Sequence, residues 1–460
     1  MAQTALQGIV QERLKFREKL AYGLGDMACN VVWGGVGAFA TYYYTNSAGM
    51  AAAAIGTMFM ISRVFDGVSD LIMGLIIDRT RSRFGKARPW LLWMAIPFAV
   101  AAVLLFSVPQ NWGAGAKLIY AYITYNLLGT VVYTAINLSY GTMTALITDD
   151  SKDRTLLNVF RMLGSVIMGI IVNIAVMPMV NGFGGGPGAW RTTFIILGTV
   201  GAGLFFLCFA GTKERVGASA KKEDVVPIKA ALGALFRNKY WYLIVINGII
   251  GSTAAGTMGV NIYFAKYWLN DETLVGVLSM TTMLPLLIGL FFMAPLVVKV
   301  GKRNLMLIGC LVLITGIIVQ ILGVTSLSMV LAGGILRGLG MVPMAAVGFV
   351  ITADVIDYGE WKTGIRTEGL VYSASSLGTK VGTGLGAGAL GWSLAFGNFD
   401  AALDVQDTPA KTAILFVFVY LPLILYCLSS VILLFYKLDK QLPQILIDLK
   451  ERHLKAGALD

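Results

Sequence analysis

Lys213-Glu-Arg-Val-Gly-Ala-Ser-Ala-Lys-Lys-Glu-Asp-Val-Val-Pro-Ile-Lys-Ala-Ala-Leu-Gly-Ala-Leu-Phe-Arg-Asn-Lys239 is the longest polar connection in the chain. What flanks it decides the fold. Apolar runs long enough to cross about 30 Å of hydrocarbon, which takes about 20 helical residues, recur on both sides. Six precede it, near 20–45, 50–77, 88–108, 114–147, 156–181 and 190–212. Six follow, near 240–268, 276–298, 304–324, 326–353, 370–396 and 409–436. Residues 1–212 are thus expected to form one six-helix half and 240–437 a second, joined by the loop 213–239 and followed by a tail, 438–460.

The composition agrees. Of 460 residues 57% are hydrophobic and 13% charged, too little polar surface to cover a soluble core. The expected class is an all-α membrane protein with about twelve transmembrane helices. Arg13, Lys15, Arg17 and Lys19 precede the first run, which is too long for a signal-peptide core and lacks a cleavage site, so it reads as a retained span.

Cys29, Cys208, Cys310 and Cys427 lie inside apolar runs at no ligand spacing, so neither a disulfide framework nor a metal cluster is expected. The only histidine, His453, lies in the tail, which removes histidine proton relays from the bundle. With no nucleophile and base arrangement in view, the chain does not read as an enzyme, and no cofactor is expected beyond a coupling ion.

The net charge of +11 is explained by its location. All but eight of the 36 Lys and Arg fall in the termini or in loops between even and odd spans. The exceptions are Lys117, Arg191, Lys266 and Lys411 on the other side, and Arg63, Arg161, Arg337 and Lys380 within spans. The positive-inside rule then puts both termini in the cytoplasm, and a basic face against anionic lipid accounts for the charge without nucleic acid.

Charges within spans are costly and mark function. Arg63, Asp66 and Asp70 share one helix face at i, i+3 and i+7. Two carboxylates one turn apart in a low dielectric call for a shared proton or a small hard cation such as sodium, the pattern of a cation-coupling site. An Arg63–Asp66 pair that only pins helices is the alternative. Asp26, Asn30 and Trp33 share a face of the first span, where acceptor, amide and indole could hold a pyranose ring; Asp26 could instead pair with a neighbouring cation. Tyr133, Thr134, Asn137 and Tyr140 form a polar stripe in the fourth span, which interhelical hydrogen bonding would explain equally well. Arg161 and Lys380 are further deep cations, and Arg337 lies in the tenth span.

Gly382, Gly384, Gly386 and Gly388 have the spacing of close helix packing rather than of a phosphate loop. Arg83-Phe-Gly-Lys86 and Val300-Gly-Lys-Arg303 occupy corresponding turns of the two halves, a weak internal repeat. Two six-helix halves about a central loop are the major-facilitator arrangement, with the solute held between them.

Lys19-Leu-Ala-Tyr-Gly-Leu-Gly-Asp26, Asp78-Arg-Thr-Arg-Ser-Arg-Phe-Gly-Lys-Ala-Arg-Pro-Trp90 and Ala353-Asp-Val-Ile-Asp-Tyr-Gly-Glu-Trp-Lys-Thr-Gly-Ile-Arg-Thr-Glu-Gly369 resemble the glycoside-pentoside-hexuronide:cation symporters. This is the melibiose-carrier branch of the major facilitators. The resemblance covers nearly the whole chain and implies uptake of a sugar or glycoside with sodium or a proton across the inner membrane, by alternating access in a monomer.

It matches Asp66 and Asp70, with Thr134 and Asn137, to the coupling site, and Asn30, Tyr133, Asn137, Arg161 and Lys380 to the sugar site. Asp354, Asp357, Glu360 and Arg366, with Arg88 and Arg154, look like a cytoplasmic ion-pair lock. Asn30 and Asn137 stand where the melibiose carrier has aspartates, and Gly141 and Ala345 replace its aromatic platforms. The loss of carboxylates suggests an anionic, glucuronide-like sugar and proton coupling. A sodium-coupled neutral pentoside or glucoside symporter, or a lipid or drug carrier on the same scaffold, stays open.

Overall fold

The computed structural model describes residues 14–148, 150–215 and 228–457; much of the central loop lies outside them. The first half comprises α1 (Phe16–Tyr42, prolonged by a π-helical turn, Tyr43–Ser47), α2 (Ala52–Arg79), α3 (Arg88–Leu105), α4 (Ala114–Ile147), α5 (Ser151–Gly182) and α6 (Pro187–Gly211). After the short α7 (Ile228–Phe236) come α8 (Lys239–Tyr267), α9 (Leu274–Leu290), α10 (Met293–Val300) and α11 (Lys302–Leu322). The chain continues through α12 (Leu327–Thr363), α13 (Glu368–Phe396), α14 (Thr408–Phe435) and α15 (Leu438–Gly457).

Eight of these helices are apolar and long enough to cross a membrane. The long α1, α2 and α13 carry the buried charges or the glycine stripe, which lowers their hydropathy. Large apolar side chains such as Ile119, Leu207 and Phe435 point outward at 57–65% exposure, as lipid-facing surfaces do. Where the tenth span was expected to end near residue 353, α12 runs on to Thr363. The tail forms α15, tied to α12 by the Trp361 indole donating to Asp448 (2.8 Å) and Arg452 donating to the Trp361 carbonyl (2.7 Å). Hydrogen bonds from Gln444 and Trp361 hold the Asp448 carboxyl below its ordinary range.

The basic turns of the two halves share a geometry. Gly85 and Gly301 both take positive φ, 110° and 84°, and each precedes a helix whose first N–H groups meet an acid. Lys86, Ala87 and Arg88 donate to Glu214 at 2.7–2.9 Å, and Arg303 donates to Asp439 at 2.8 Å. The helix N-terminus attracts the carboxylate. The arginine side chain then caps the last helix of its half. Arg88 donates twice to the Phe209 carbonyl, and Arg303 donates to those of Leu433 and Leu434.

The halves meet along α2 and α13, α5 and α9, and α1 and α8. Glycines allow the approach. A Cβ at Gly56 would lie 2.9 Å from the Gly388 carbonyl oxygen and 3.0 Å from the Gly391 Cα. Gly382 and Gly386, one turn apart on the other face of α13, sit against the backbone of α8 at Ile249 and Thr253.

At the face away from the termini the contact is sealed by polar groups. The Tyr42 hydroxyl donates to Glu272 (3.1 Å) and accepts from Lys266 (3.0 Å), Thr45 and Tyr263 share a hydrogen bond of 2.6 Å, and Asn46 donates to Tyr267 (2.7 Å). The two halves share one apolar core there, whereas the second half has a separate core around Tyr240, Ile356, Tyr436 and Leu449 near the termini.

Gly386→Ala would drive a methyl group into the Thr253 carbonyl and is expected to cost about 1–3 kcal/mol. Gly203→Ala on the outer face of α6, where a Cβ meets nothing within 4 Å, should leave stability unchanged or slightly higher. Thermal unfolding of the two variants in detergent measures the difference.

Candidate functional site

The i, i+3, i+7 face of α2 points across the bundle. Asp66 is 4% exposed, and both its oxygens are engaged: Oδ2 accepts from Arg63 (3.2 Å) and Oδ1 from Thr130 (2.6 Å). Thr130 belongs to a π-helical stretch of α4, Leu127–Tyr133, a distortion that often marks functional positions. It continues to Asn126 and from there to Ser62. Thr134 lies one turn on, 3.3 Å from the Ser69 hydroxyl. From the other half, Lys380 of α13 donates to the Asp66 carbonyl (2.9 Å) and forms an ion pair with Asp70. Gly384, one turn from Lys380, leaves room for the Arg63 side chain, against which a Cβ would come to 3.0 Å.

A second network joins α1 to α5. Arg161 pairs with Asp26 at 3.4 Å, reaches Asn137 at 3.4 Å and lies over the Tyr140 ring. Asn30 donates to the Asp26 carbonyl and to Ser165, both at 2.9 Å. Trp33 stacks on Tyr133, with centroids 4.6 Å apart and planes within 10°, while Arg63 covers its ring at 5.1 Å.

Between the two networks lies a cavity of about 330 Å³ walled by both halves. Of the residues singled out in the sequence, Asn30, Trp33 and Arg63 line it. The polar groups added by the fold include Thr41, Ser165, Asn173, Asn261 and Thr282. Asn173, a lone amide in an apolar run, was visible in the sequence; the hydroxyls were not distinguishable from packing residues. A larger cavity, about 730 Å³, lies wholly within the second half and reaches Lys380.

Three expectations change. Tyr140 does not face the cavity: it is fully buried, stacked on Tyr22, and its hydroxyl donates to the Tyr22 carbonyl at 2.6 Å. Asn137 sits beside Arg161 and not with Asp66 and Asp70. The lock is not assembled in this conformation. Arg366 gathers Asp357 (3.1 Å) and Glu360 (2.7 Å), but Asp354 pairs with Lys302 (2.5 Å). Arg88 and Arg154 turn instead to carbonyls of their own half, at Phe209, Thr148 and Ala145. Helix ends leave such carbonyls without partners, and a guanidinium can satisfy them.

Arg161→Ala leaves the 9%-exposed Asp26 without its cation and is expected to destabilise by about 1–3 kcal/mol, since an unsatisfied buried group keeps its desolvation cost. Asp26→Asn combined with Arg161→Ala should recover part of that loss. A double-mutant cycle by thermal unfolding reads the coupling.

The comparisons with known proteins point one way. A family model described as MFS/sugar transport protein matches residues 21–440. The chain is 35% identical to the isoprimeverose transporter of Lactiplantibacillus pentosus, over 98% of this chain and 95% of that one. It is 30% identical to the glucuronide carrier protein homolog of Escherichia coli (strain K12), over 96% and 97%. The crystal structure of the nucleoside transporter NupG superposes with a TM-score of 0.61 at 15% identity, covering 91% of this chain and 100% of that one, a likeness of fold alone. With a family match over nearly its whole length and the paired charges of α2, α5 and α13 in place, this chain belongs to the MFS/sugar transport protein family, among the glycoside-pentoside-hexuronide:cation symporters.

Proposed function

We propose that the protein takes up a glycoside through the cytoplasmic membrane, holding it in the cavity between the halves while a cation occupies the Asp66–Asp70 face of α2. The observation that carries this reading is the juxtaposition of that cavity, ringed by uncharged donors and the Trp33 face, with the Arg63–Asp66 and Asp70–Lys380 pairs. Asparagine amides and hydroxyls recognise sugar hydroxyls, and an indole face covers the apolar side of a pyranose. Both termini lie in the cytoplasm on the distribution of Lys and Arg. The sealed face around Tyr42 and Lys266 is then the outer one, and the conformation opens inward.

Coupling follows from competition. Lys380 satisfies Asp70 in this state; a proton or sodium ion arriving from outside would neutralise the carboxylates and free Lys380, changing which side of the bundle α13 prefers. Such exclusion links the two sites thermodynamically. A proton is favoured over sodium because Asn137 turns to Arg161, which leaves fewer oxygen ligands beside Asp66 and Asp70 for a hard cation. Sodium, if it is the ion, would be held by Asp66 and Asp70 with the hydroxyls of Thr130 and Thr134.

Arg161 and Lys380 do not make the centre positive, because each is matched by a carboxylate, as is Arg63. The balanced charge favours a ring recognised through its hydroxyls. The relatives span both classes by name, an isoprimeverose transporter and a glucuronide carrier homolog.

The test is uptake of labelled methyl β-xyloside and methyl β-glucuronide by proteoliposomes, alkaline inside or with an inward sodium gradient, for wild type and Asp66→Asn. Uptake is expected to follow the pH gradient and to lose that dependence in Asp66→Asn. Thr130→Val, which removes a hydrogen bond to a charged group worth about 1.5–3 kcal/mol, should shift half-activation by roughly tenfold or more, with Thr130→Ser restoring it. Uptake driven only by sodium would replace the proton, and uptake of neither sugar would favour a lipid or drug carrier.

A further inference from the structure

Arg63, Arg161 and Lys380 each have a carboxylate partner. Arg337 has none among the described residues. An arginine at this depth is retained where it faces a partner or a polar cavity. Its Nη1 donates to Gln320 Oε1 (3.0 Å) and to the Phe418 carbonyl (3.4 Å), and the guanidinium stands 5.7 Å from the Phe418 ring centroid. Gln320, 2% exposed, is itself fixed by donating to the Val330 carbonyl at 3.0 Å. The guanidinium is therefore held from one edge, and its Nε and Nη2 donors have no protein partner among the described residues.

Beside it lies a cavity of about 40 Å³. That exceeds the roughly 10–15 Å³ a cavity needs to hold one water, so the space has room for one small ion or the head of a carboxylate. Two more unspent donors line it, the Asn261 amide and the Tyr426 hydroxyl, neither hydrogen-bonded to another described residue. Gly334 and Gly338 keep α12 against α9: a Cβ at either would strike Thr281 or Thr282. Ala255, Met258, Asn261, Thr282 and Met341 belong to the walls of both this cavity and the central one, so the two spaces adjoin across a single layer of side chains.

We propose that Arg337, Asn261 and Tyr426 form an anion-accepting annex to the central cavity, taking one monovalent anionic group. That group is either a carboxylate or sulfonate carried on the solute or a free halide. Unlike Arg161 and Lys380, Arg337 has its charge available, and a fork of donors matches a carboxylate in plane. For a solute-borne group the inference deepens the glycoside reading and rests on the central cavity as the sugar site; for a halide it stands without it.

Purified protein in halide-free sulfate buffer is titrated with methyl β-glucuronide, methyl β-glucoside and sodium chloride, and thermal stabilisation is read for wild type, Arg337→Gln and Tyr426→Phe. A solute-borne anion predicts that glucuronide half-saturates at a roughly tenfold lower concentration than glucoside, and that this ratio collapses toward one in Arg337→Gln, as expected for loss of a charge-assisted bond. A free halide predicts saturable stabilisation by chloride that is lost in Arg337→Gln. Tyr426→Phe, which keeps the charge and loses one hydroxyl, should weaken whichever effect appears by a smaller factor, and it carries the test if Arg337→Gln does not fold. The proposal is overturned if wild type shows neither the glucuronide preference nor chloride stabilisation, or if either effect survives unchanged in the variants. Failure of both sugars with a chloride effect that needs Arg337 would sink the glycoside reading and leave the annex standing.

Discussion

An ionised side chain in hydrocarbon must find a partner or water, and most of what is distinctive in this bundle follows from that constraint. Asp66 and Asp70 on α2 cannot be satisfied by their own helix alone. Arg63 serves Asp66 from the preceding turn, but Asp70 is served by Lys380 from the other half. The pair therefore lies at a joint between two halves that have to move relative to one another in alternating access. Any ion that neutralises Asp70 changes the energy of that joint.

The joint is close because glycines of α13 stand where it crosses. Its glycines fall on two faces: Gly382 and Gly386 against α8, Gly384 and Gly388 toward α2. Small residues give transmembrane helices contact without a hydrophobic driving force, and here they also make room for Arg63. Packing and electrostatics thus share one helix. At the end away from the termini the same α1–α8 contact is closed by hydroxyl, amide and ammonium groups, which can exchange protein partners for water more cheaply than an apolar seal could.

The capping of Lys86–Arg88 by Glu214 and of Arg303 by Asp439 shows the same chemistry used once in each half. In both, a glycine with positive φ turns the chain, the exposed N–H groups of the next helix take an acid, and an arginine covers the carbonyls at the end of the half. Those arginines are committed to their own half in this conformation. The acids of α12 are likewise gathered by Arg366 and Lys302 within the other half, so each side of the open face is satisfied without the other.

Hydrophobic run length was enough to read an all-α membrane bundle, because crossing hydrocarbon is a requirement on local sequence. The spacing of Arg63, Asp66 and Asp70 showed a shared face, because helical periodicity is local too. Which partner answers each charge was not legible. Arg161 chose Asp26, Tyr140 turned to a backbone carbonyl, Thr130 reached Asp66 from a π-helical stretch, and Arg337 met no acid among the described residues. Pairing depends on distances between helices that are remote in sequence, and only the packing of the two halves sets those.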